Sequence, residues 1–557
     1  MAGLAASFGS GSMTNSIGEI PSADVLFLLG ANPTEAHPII GLQMRAALRR
    51  GAKFIVVDPR KTWLAERAHY HLQVRPGTDC ILLNAIMNVI ISEGLEDKEF
   101  IRNRTEGFEA LKEYCKDITP EKAERITGVP ARDIKEAARL YAEADKGAIF
   151  YTLGITEHVC GTETVRTIAN LAMLTGHIGK PSSGVNPLRG QNNVQGATDM
   201  GTTPDKFHGY QLVADRAVRE KFEKAWGVKL PAIKGLMSPE MFDAANEGKL
   251  KALFIMGEDP VMSQPNQEHI ISGLKNLEFV VAVDIFLNET AKYAQVILPA
   301  ASAAEKDGTF TNSERRVQRV RKAVEPIGNS RADWQIICEL ATRMGYPMKY
   351  NHPSEIWDEL ASLAPNLFGG ISYDRIEKVG IQWPCPTKDH PGTQYLHKDT
   401  FARGLGQFYA PPCRPPAEKT DSEFPLILST GRTLFQYNAG TMSRRSAGCT
   451  QMESECFVEI SPYDASMYGV QDGDVVRVIS RRGEVFARAH VVDIKEGVIW
   501  MPMHYAEAAA NRLTVSAYDN ITMTPEYKVC AARVERVGEG RLVKVSTGDR
   551  KQETGTK

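Results

Sequence analysis

Asp24-Val-Leu-Phe-Leu-Leu-Gly30-Ala-Asn32-Pro33 is the stretch that decides the fold. An unbroken apolar run closed by a glycine and an Asn-Pro turn reads as a strand buried on both faces, the mark of a parallel sheet. A helix pattern follows from about Ile39 to Arg50, with Gly51 as its stop. A second buried strand, Lys53-Phe-Ile-Val-Val57, then ends in Asp58-Pro-Arg60. This is a βαβ unit, and such units bind ligands beyond the carboxyl ends of their strands. The same pattern returns as Ala252-Leu-Phe-Ile-Met-Gly257-Glu-Asp259-Pro260 followed by Phe279-Val-Val-Ala-Val-Asp284. Gly30 to Asp58 spans 28 positions and Gly257 to Asp284 spans 27. The repeated turn and terminal acid predict two copies of one dinucleotide site; the alternative is a duplicated α/β scaffold without a ligand.

Working outward, Arg75-Pro-Gly-Thr-Asp79 is a turn into an apolar helix over 80–93, whose free N-terminus suits a phosphate. Thr119-Pro120 reads as helix cap and first turn, with Gly128 as the stop. Pro130 opens a helix with Ile134, Ala137, Ala138 and Tyr141 on one face. Ala148–Leu153 is another buried strand, and residues 162–176 form an apolar helix. Between the two units lies Asn186-Pro-Leu-Arg-Gly-Gln-Asn-Asn-Val-Gln-Gly-Ala-Thr-Asp-Met-Gly201, rich in glycine and amides, with only Arg189 and Asp199 charged. Glycines admit a ligand to the backbone, amides both donate and accept, and a guanidinium fork fits a carboxylate or phosphate. The bland reading is an Asn/Gly turn with a salt-bridged arginine. Residues 382–423 are a Pro- and Gly-rich linker. Beyond it, short strands (Pro425–Thr430, Phe457–Ser461, Asp474–Ser480, Val485–Val491, Val498–Met501) imply a closed or nearly closed barrel. Residues 1–20 suggest no independent element, and the polar tail from Ser546 is expected to be disordered.

Composition narrows the class. A length of 557 residues suggests about three or four domains. With a net charge of −2 no global field favours nucleic acid or an anionic membrane. The basic run Arg315, Arg316, Arg319, Arg321, Lys322 reads as a solvated or phosphate-facing strip. No apolar run approaches the roughly 20 residues of a membrane span, and no signal-peptide pattern opens the chain, which predicts a cytoplasmic protein. Nine scattered cysteines without a Cys-x-x-Cys pair exclude a disulfide scaffold and give no zinc or iron–sulfur spacing. His37, His158 and His177 stand alone and read as structural.

Several stretches together resemble the molybdopterin-dependent oxidoreductases, and more specifically the catalytic α subunit of molybdenum or tungsten formate dehydrogenase. They are Asn186–Gly201, Leu298-Pro-Ala through Gly308-Thr-Phe-Thr-Asn312-Ser-Glu-Arg-Arg316, Trp334-Gln-Ile-Ile with Ala341-Thr-Arg-Met-Gly-Tyr346, and Thr524-Pro-Glu-Tyr-Lys528. Related nitrate reductases lack the Arg-Gly-Gln-Asn-Asn run, which favours formate. The resemblance implies an α/β fold of two related dinucleotide-binding domains, 1–190 and 191–420, followed by a C-terminal β-barrel of the double-psi type, 421–557. It implies bis-molybdopterin guanine dinucleotide carrying Mo or W, with Arg189 holding the formate carboxylate. Gly30, Asn32, Glu35, Asp58, Arg60, Gly77 and Asp79 would serve one dinucleotide, and Gly257, Asp259 and Asp284 the other. Glu157, Gly190 and Gln191 would line the pterins. Thr430, Gly431, Arg432, Gln436, Tyr437, Asn438, Asn511, Tyr527 and Lys528 would close over the cofactor from the barrel.

The chain also departs from that pattern. The family begins with four cysteines holding a 4Fe-4S cluster, then a cysteine or selenocysteine on the metal and a histidine, and none of these is present. In relatives His-x-Pro-Ser-Val-Ala-Gly-Leu follows the metal ligand, and this chain opens Met-Ala-Gly-Leu. The expectation is a selenoprotein fragment read from a start downstream of a UGA codon, inactive by itself. Its partners would be formate and iron–sulfur, flavin or hydrogenase electron-transfer subunits. Rival readings are a non-catalytic cofactor-binding or assembly subunit, and an ordinary nucleotide-dependent dehydrogenase, disfavoured because neither unit carries Gly-x-Gly-x-x-Gly.

Overall fold

A computed structural model describes residues 1–538, so the tail from Ser546 lies outside the described residues. Strands β1 (Val25–Leu29), β2 (Lys53–Val57), β3 (Tyr70–Leu72), β4 (Gly147–Tyr151) and β5 (Gly184–Pro187) form one parallel sheet in the order β3-β2-β1-β4-β5. All of β1 and β4 is buried. Alternation along β1 explains why: Val25, Phe27 and Leu29 pack with helices Asp79–Ser92, Ala131–Ala142 and Gly161–Leu174, whereas Leu26 and Leu28 meet Ile40 and Met44 of Pro38–Arg49. The strand order reverses between β1 and β4, which leaves a crevice above their carboxyl ends.

Local signals set the helix boundaries. Thr119 accepts the Lys122 amide at 3.3 Å to cap Pro120–Thr127, and Gly128 ends that helix at φ 72°. Residues 1–20 differ from expectation: Ala2–Phe8 is helical and buries Leu4 and Phe8 in the first core. Seven residues carry too little pattern to announce a helix, and tertiary burial supplies its stability.

The second unit holds β6 (Ala252–Met256), β7 (Phe279–Asp284) and β8 (Val296–Pro299), parallel in the order β8-β7-β6. Phe242, Ile270 and Leu274 of helices Ser238–Asn246 and Gln267–Asn276 cover one face of this sheet. Phe254, Phe279 and Val296 remain exposed on the other.

The C-terminal part is a closed barrel of β9 (Leu426–Gly431), β10 (Phe457–Ile460), β11 (Val475–Ser480), β12 (Gly483–Val491), β13 (Val498–Pro502) and β14 (Cys530–Gly538), ordered β9-β13-β10-β12-β11-β14. Sequence patterning anticipates the first five strands. β14 closes the barrel by pairing antiparallel with both β9 and β11.

Two further findings differ from the sequence reading. Cys80, in the first turn of Asp79–Ser92, is disulfide-bonded to Cys413 of the linker, 333 residues away, a pairing no local spacing could reveal. The basic run is not uniformly solvated: Arg315 is fully buried and donates to the backbone carbonyls of Met13, Trp383, Thr393 and Gln394. The other four residues pair with Glu314, Asp307, Glu377 and Glu325.

Candidate functional site

The two repeated turns have the same construction. Gly30 (φ 51°) and Gly257 (φ 61°) each donate their N–H to the residue before the strand-end acid, Val57 at 2.9 Å and Val283 at 2.8 Å. Asn32 and Asp259 then cap one-turn helices with φ/ψ of −115/77° and −121/75°. A Cβ on Gly30 would lie 2.7 Å from Gly154 backbone, whereas one on Gly257 would meet open space. At the strand ends, Asp58 Oδ1 accepts the Arg60 amide at 2.9 Å and Asp284 Oδ1 accepts the Ile285 amide at 2.6 Å.

Above β1 and β4 lies an open cleft of ≈ 900 Å³, walled on one side by the first unit and on the other by the barrel. Gly30, Asn32, Asp58, Arg60, Asp79 and Gly190 line it from below, and Thr430, Gly431, Arg432 and Lys528 from above. Burial pushes the Asp58 carboxyl up to about 6, and it also raises Asp79 and Glu35 above the usual carboxylate range. Arg60 joins the two walls: Nε and Nη2 grip Glu459 of β10 at 2.6 and 2.7 Å, and its guanidinium lies 3.8 Å over the Trp500 ring. Glu35 stands 4.0 Å from the same guanidinium. Gly77 does not line the cleft; its missing side chain makes room for Pro416 of the linker.

This cleft suits an anionic, hydrogen-bonding ligand. Asn32 Nδ2 and Arg432 Nε are both buried without a hydrogen-bond partner, though buried donors are almost always paired. A Cβ at Gly190 would lie 2.7 Å from Arg432 Nη1, so a glycine there keeps that guanidinium in place.

A second cleft, ≈ 320 Å³, opens between the second unit and the barrel. Asp259, Asn288, Thr441, Arg444, Arg445 and His504 line it. Asp284 is set back from its wall and accepts the Asn288 amide at 2.8 Å. His504 Nε2 accepts the Thr433 N–H at 3.1 Å, so Nδ1 carries the proton donated to the Asn438 carbonyl. Burial, with Arg432 and Arg444 nearby, brings His504 down to about 4 and keeps it neutral.

The remaining candidates tie these walls together. Gln191 donates to Asn438 Oδ1 and the Asn192 amide donates to the Tyr437 hydroxyl, at 3.3 and 3.1 Å. Glu157 pairs with Lys528 at 2.6 Å, and Lys528 also donates to the Thr430 carbonyl. Asn511 and Tyr527 donate to the Met262 and Ser263 carbonyls, holding the turn after Asp259 against the barrel. Gln436 is turned inward, bonded to Ser443 and the Glu453 carbonyl.

Arg189 sits one residue from the first cleft. Its Nε meets Gln195 Oε1 and its Nη2 meets the Gly11 carbonyl, both at 3.3 Å. Among the described residues no carboxylate lies within ion-pairing reach of it, which removes the salt-bridged-turn reading. Sequence reasoning missed His37, His158 and Trp500 in the first cleft and Arg444 and Arg445 in the second. No motif surrounds these residues; the fold alone brings them to the cleft walls.

A family model described as "Molybdopterin oxidoreductase" matches residues 4–343, and one described as "Molydopterin dinucleotide binding domain" matches residues 426–531. The chain is 49% identical over 540 residues to the F420-dependent formate dehydrogenase subunit alpha of Methanocaldococcus jannaschii, covering 96% of this chain and 80% of that protein. It is 45% identical over 549 residues to formate dehydrogenase H of Escherichia coli, covering 97% of this chain and 77% of that one. Among solved structures, acetylene hydratase from Pelobacter acetylenicus superimposes with a TM-score of 0.74 at 21% identity, over 96% of this chain and 80% of that one, which bears on the fold alone.

Proposed function

The chain belongs to the molybdopterin oxidoreductases, and on that footing we propose that it is the cofactor- and substrate-binding body of a formate dehydrogenase α subunit. The reaction is oxidation of formate to CO2, releasing one proton and two electrons that pass to an iron–sulfur cluster and on to electron-transfer subunits. The observation that carries the substrate is the Arg189 guanidinium, free of any carboxylate beside a cleft built for an anionic cofactor. Relatives of both archaeal and bacterial origin named as formate dehydrogenases support the same choice.

Three domains, 1–190, 191–420 and 421–557, would hold bis-molybdopterin guanine dinucleotide between them. When bound, that group and its Mo or W supply the two-electron oxidant. The chain's own residues do the rest. The Gly30 and Gly257 turns let a ligand reach the backbone, with Asp58 at the first strand end to accept nucleoside donors and Asp259 lining the second cleft beside Asn288, which Asp284 holds from behind. Arg432 neutralises phosphate or pterin charge. Arg189 grips the formate carboxylate with a fork that orients the C–H bond. Among the described residues no helix is long and apolar enough to cross a membrane.

The test is Arg189→Lys in the holoenzyme, which keeps the charge and loses the fork. Formate turnover should collapse while metal and pterin content persist. Unchanged kinetics would return Arg189 to a structural role.

A further inference from the structure

Behind Arg189 lies a buried polar cluster that cofactor binding and the substrate grip leave unused. Asp199 is fully buried at the end of helix Val194–Asp199. Its Oδ2 accepts the Trp383 indole N–H at 2.8 Å, and its Oδ1 accepts the Tyr210 hydroxyl and the Gln195 amide, the latter at 2.8 Å. Gln195 is buried as well, and its Oε1 is the atom that meets Arg189 Nε.

An ionised carboxylate can only accept hydrogen bonds, so it dictates which end of the Gln195 amide faces it. The NH2 turns toward Asp199, and the oxygen is thereby presented to the guanidinium. If Asp199 became a donor, the amide could invert and set an NH2 against Arg189, a donor facing a donor. We propose that Asp199 is a positioning residue for the substrate arginine: through Gln195 it fixes the orientation in which Arg189 receives formate. Trp383 and Tyr210 hold Asp199 in turn, so the cluster acts as one unit joining the Arg189 loop to the linker. This rests on the reading of Arg189 as the carboxylate anchor.

The proposal implies a pH dependence. The titratable and charged groups facing Asp199 are Tyr210, Arg189 and Arg315. Desolvation lifts its carboxyl to about 6, opposed by the Tyr210, Gln195 and Trp383 hydrogen bonds and the Arg189 charge. Near neutral pH the carboxylate form prevails and the amide is fixed. Below about 6 the carboxyl becomes a donor and the orientation is lost.

The test uses the holoenzyme with Asp199→Asn and Gln195→Leu, and Arg189→Lys as the control for the anchor reading. In Asp199→Asn the formate KM should rise by about tenfold, the size of one charge-assisted hydrogen bond, with kcat per bound metal little changed. The wild-type KM should climb as pH falls through about 6, and that limb should vanish in Asp199→Asn. A structural role would instead reduce metal content and spare the KM of the enzyme that remains. A second readout needs no turnover: fluorine NMR of fluorotryptophan-labelled protein, with the Trp383 line assigned by Trp383→Phe among the six tryptophans. That line should shift across the same pH range in wild type, and also in Gln195→Leu. A formate KM unchanged in Asp199→Asn, or a wild-type Trp383 line that does not titrate, overturns the proposal. An Arg189→Lys enzyme with normal KM and kcat would instead overturn the anchor reading beneath it.

Discussion

Replacing Asp58 with asparagine separates the cost of an empty site from the gain of a filled one. Burial lifts this carboxyl from 3.8 to about 6 in the folded chain. A folded-state pKa raised above the unfolded value means the native state holds the proton more tightly. Stability of the empty chain therefore falls as pH rises from about 4 to about 6, then levels off. The shift of about two units corresponds to roughly 3 kcal/mol, an upper figure because water in an open cleft screens the charge. Asp58→Asn should recover part of that above pH 6, so the variant should be more stable than wild type at pH 7.5, by about 1–3 kcal/mol. Ligand binding should move the other way. Oδ1 is committed to the Arg60 amide, leaving Oδ2 for nucleoside N–H donors. Losing a charge-assisted acceptor costs about 1.5–3 kcal/mol, or roughly 10- to 150-fold in affinity. Affinity of the wild type should also drop about tenfold per pH unit below 6, because the carboxyl must first ionise; the variant should show no such slope. Urea unfolding of the empty chain from pH 5 to 8 reads the first effect. Equilibrium dialysis with GMP, in an Asp259→Ala background so that the second cleft is silenced and one site is counted, reads the second. A variant less stable at pH 7.5 with GMP affinity intact would refute the reasoning and make Asp58 a scaffold residue.

Two other substitutions follow from the same geometry. Arg432→Met removes a buried Nε donor that has no hydrogen-bond partner and a guanidinium that only stacks on Tyr437 at 4.9 Å, so the empty chain should lose little stability, while retained dinucleotide falls by about 10- to 100-fold; a large drop in urea midpoint without loss of cofactor would contradict this. Gly257→Ala should cost only left-handed backbone strain, about 1–2 kcal/mol, because its Cβ meets open space. Gly30→Ala should cost about 1–3 kcal/mol more, because its Cβ overlaps Gly154 backbone. Equal losses in the two would mean the turns are not packed as described.

What the sequence exposes is whatever a few neighbouring residues decide. The buried strands β1, β2 and β4, the capped helix after Thr119 and the twin glycine turns all rest on contiguous signals, and their positions follow within a residue or two. β14 is not legible in the sequence because Cys530-Ala-Ala-Arg-Val lacks a clean alternation; its partners β9 and β11 make it a strand. Site residues divide the same way. Gly30, Asp58, Gly257 and Asp259 belong to a repeated local pattern, whereas His37, Trp500 and Arg444 gain meaning only when the walls meet.

Charge is the hardest property to read locally, since burial of an ion depends on partners from elsewhere in the chain. Arg315 sits in a run that looks solvated, yet it alone of that run is fully buried, because carbonyls from residues 13, 383, 393 and 394 converge on it. Asp199 is visible as one of two charges in its loop, but Trp383, which fixes its second oxygen, lies 184 residues on. Both buried ions touch Trp383: its carbonyl receives Arg315 and its indole N–H donates to Asp199. Trp383, in the Pro-rich linker, is thus where the Asp199–Gln195 support of Arg189 is anchored. A stretch read as Pro-rich connection carries part of the site's geometry, and only contacts between distant segments could show it.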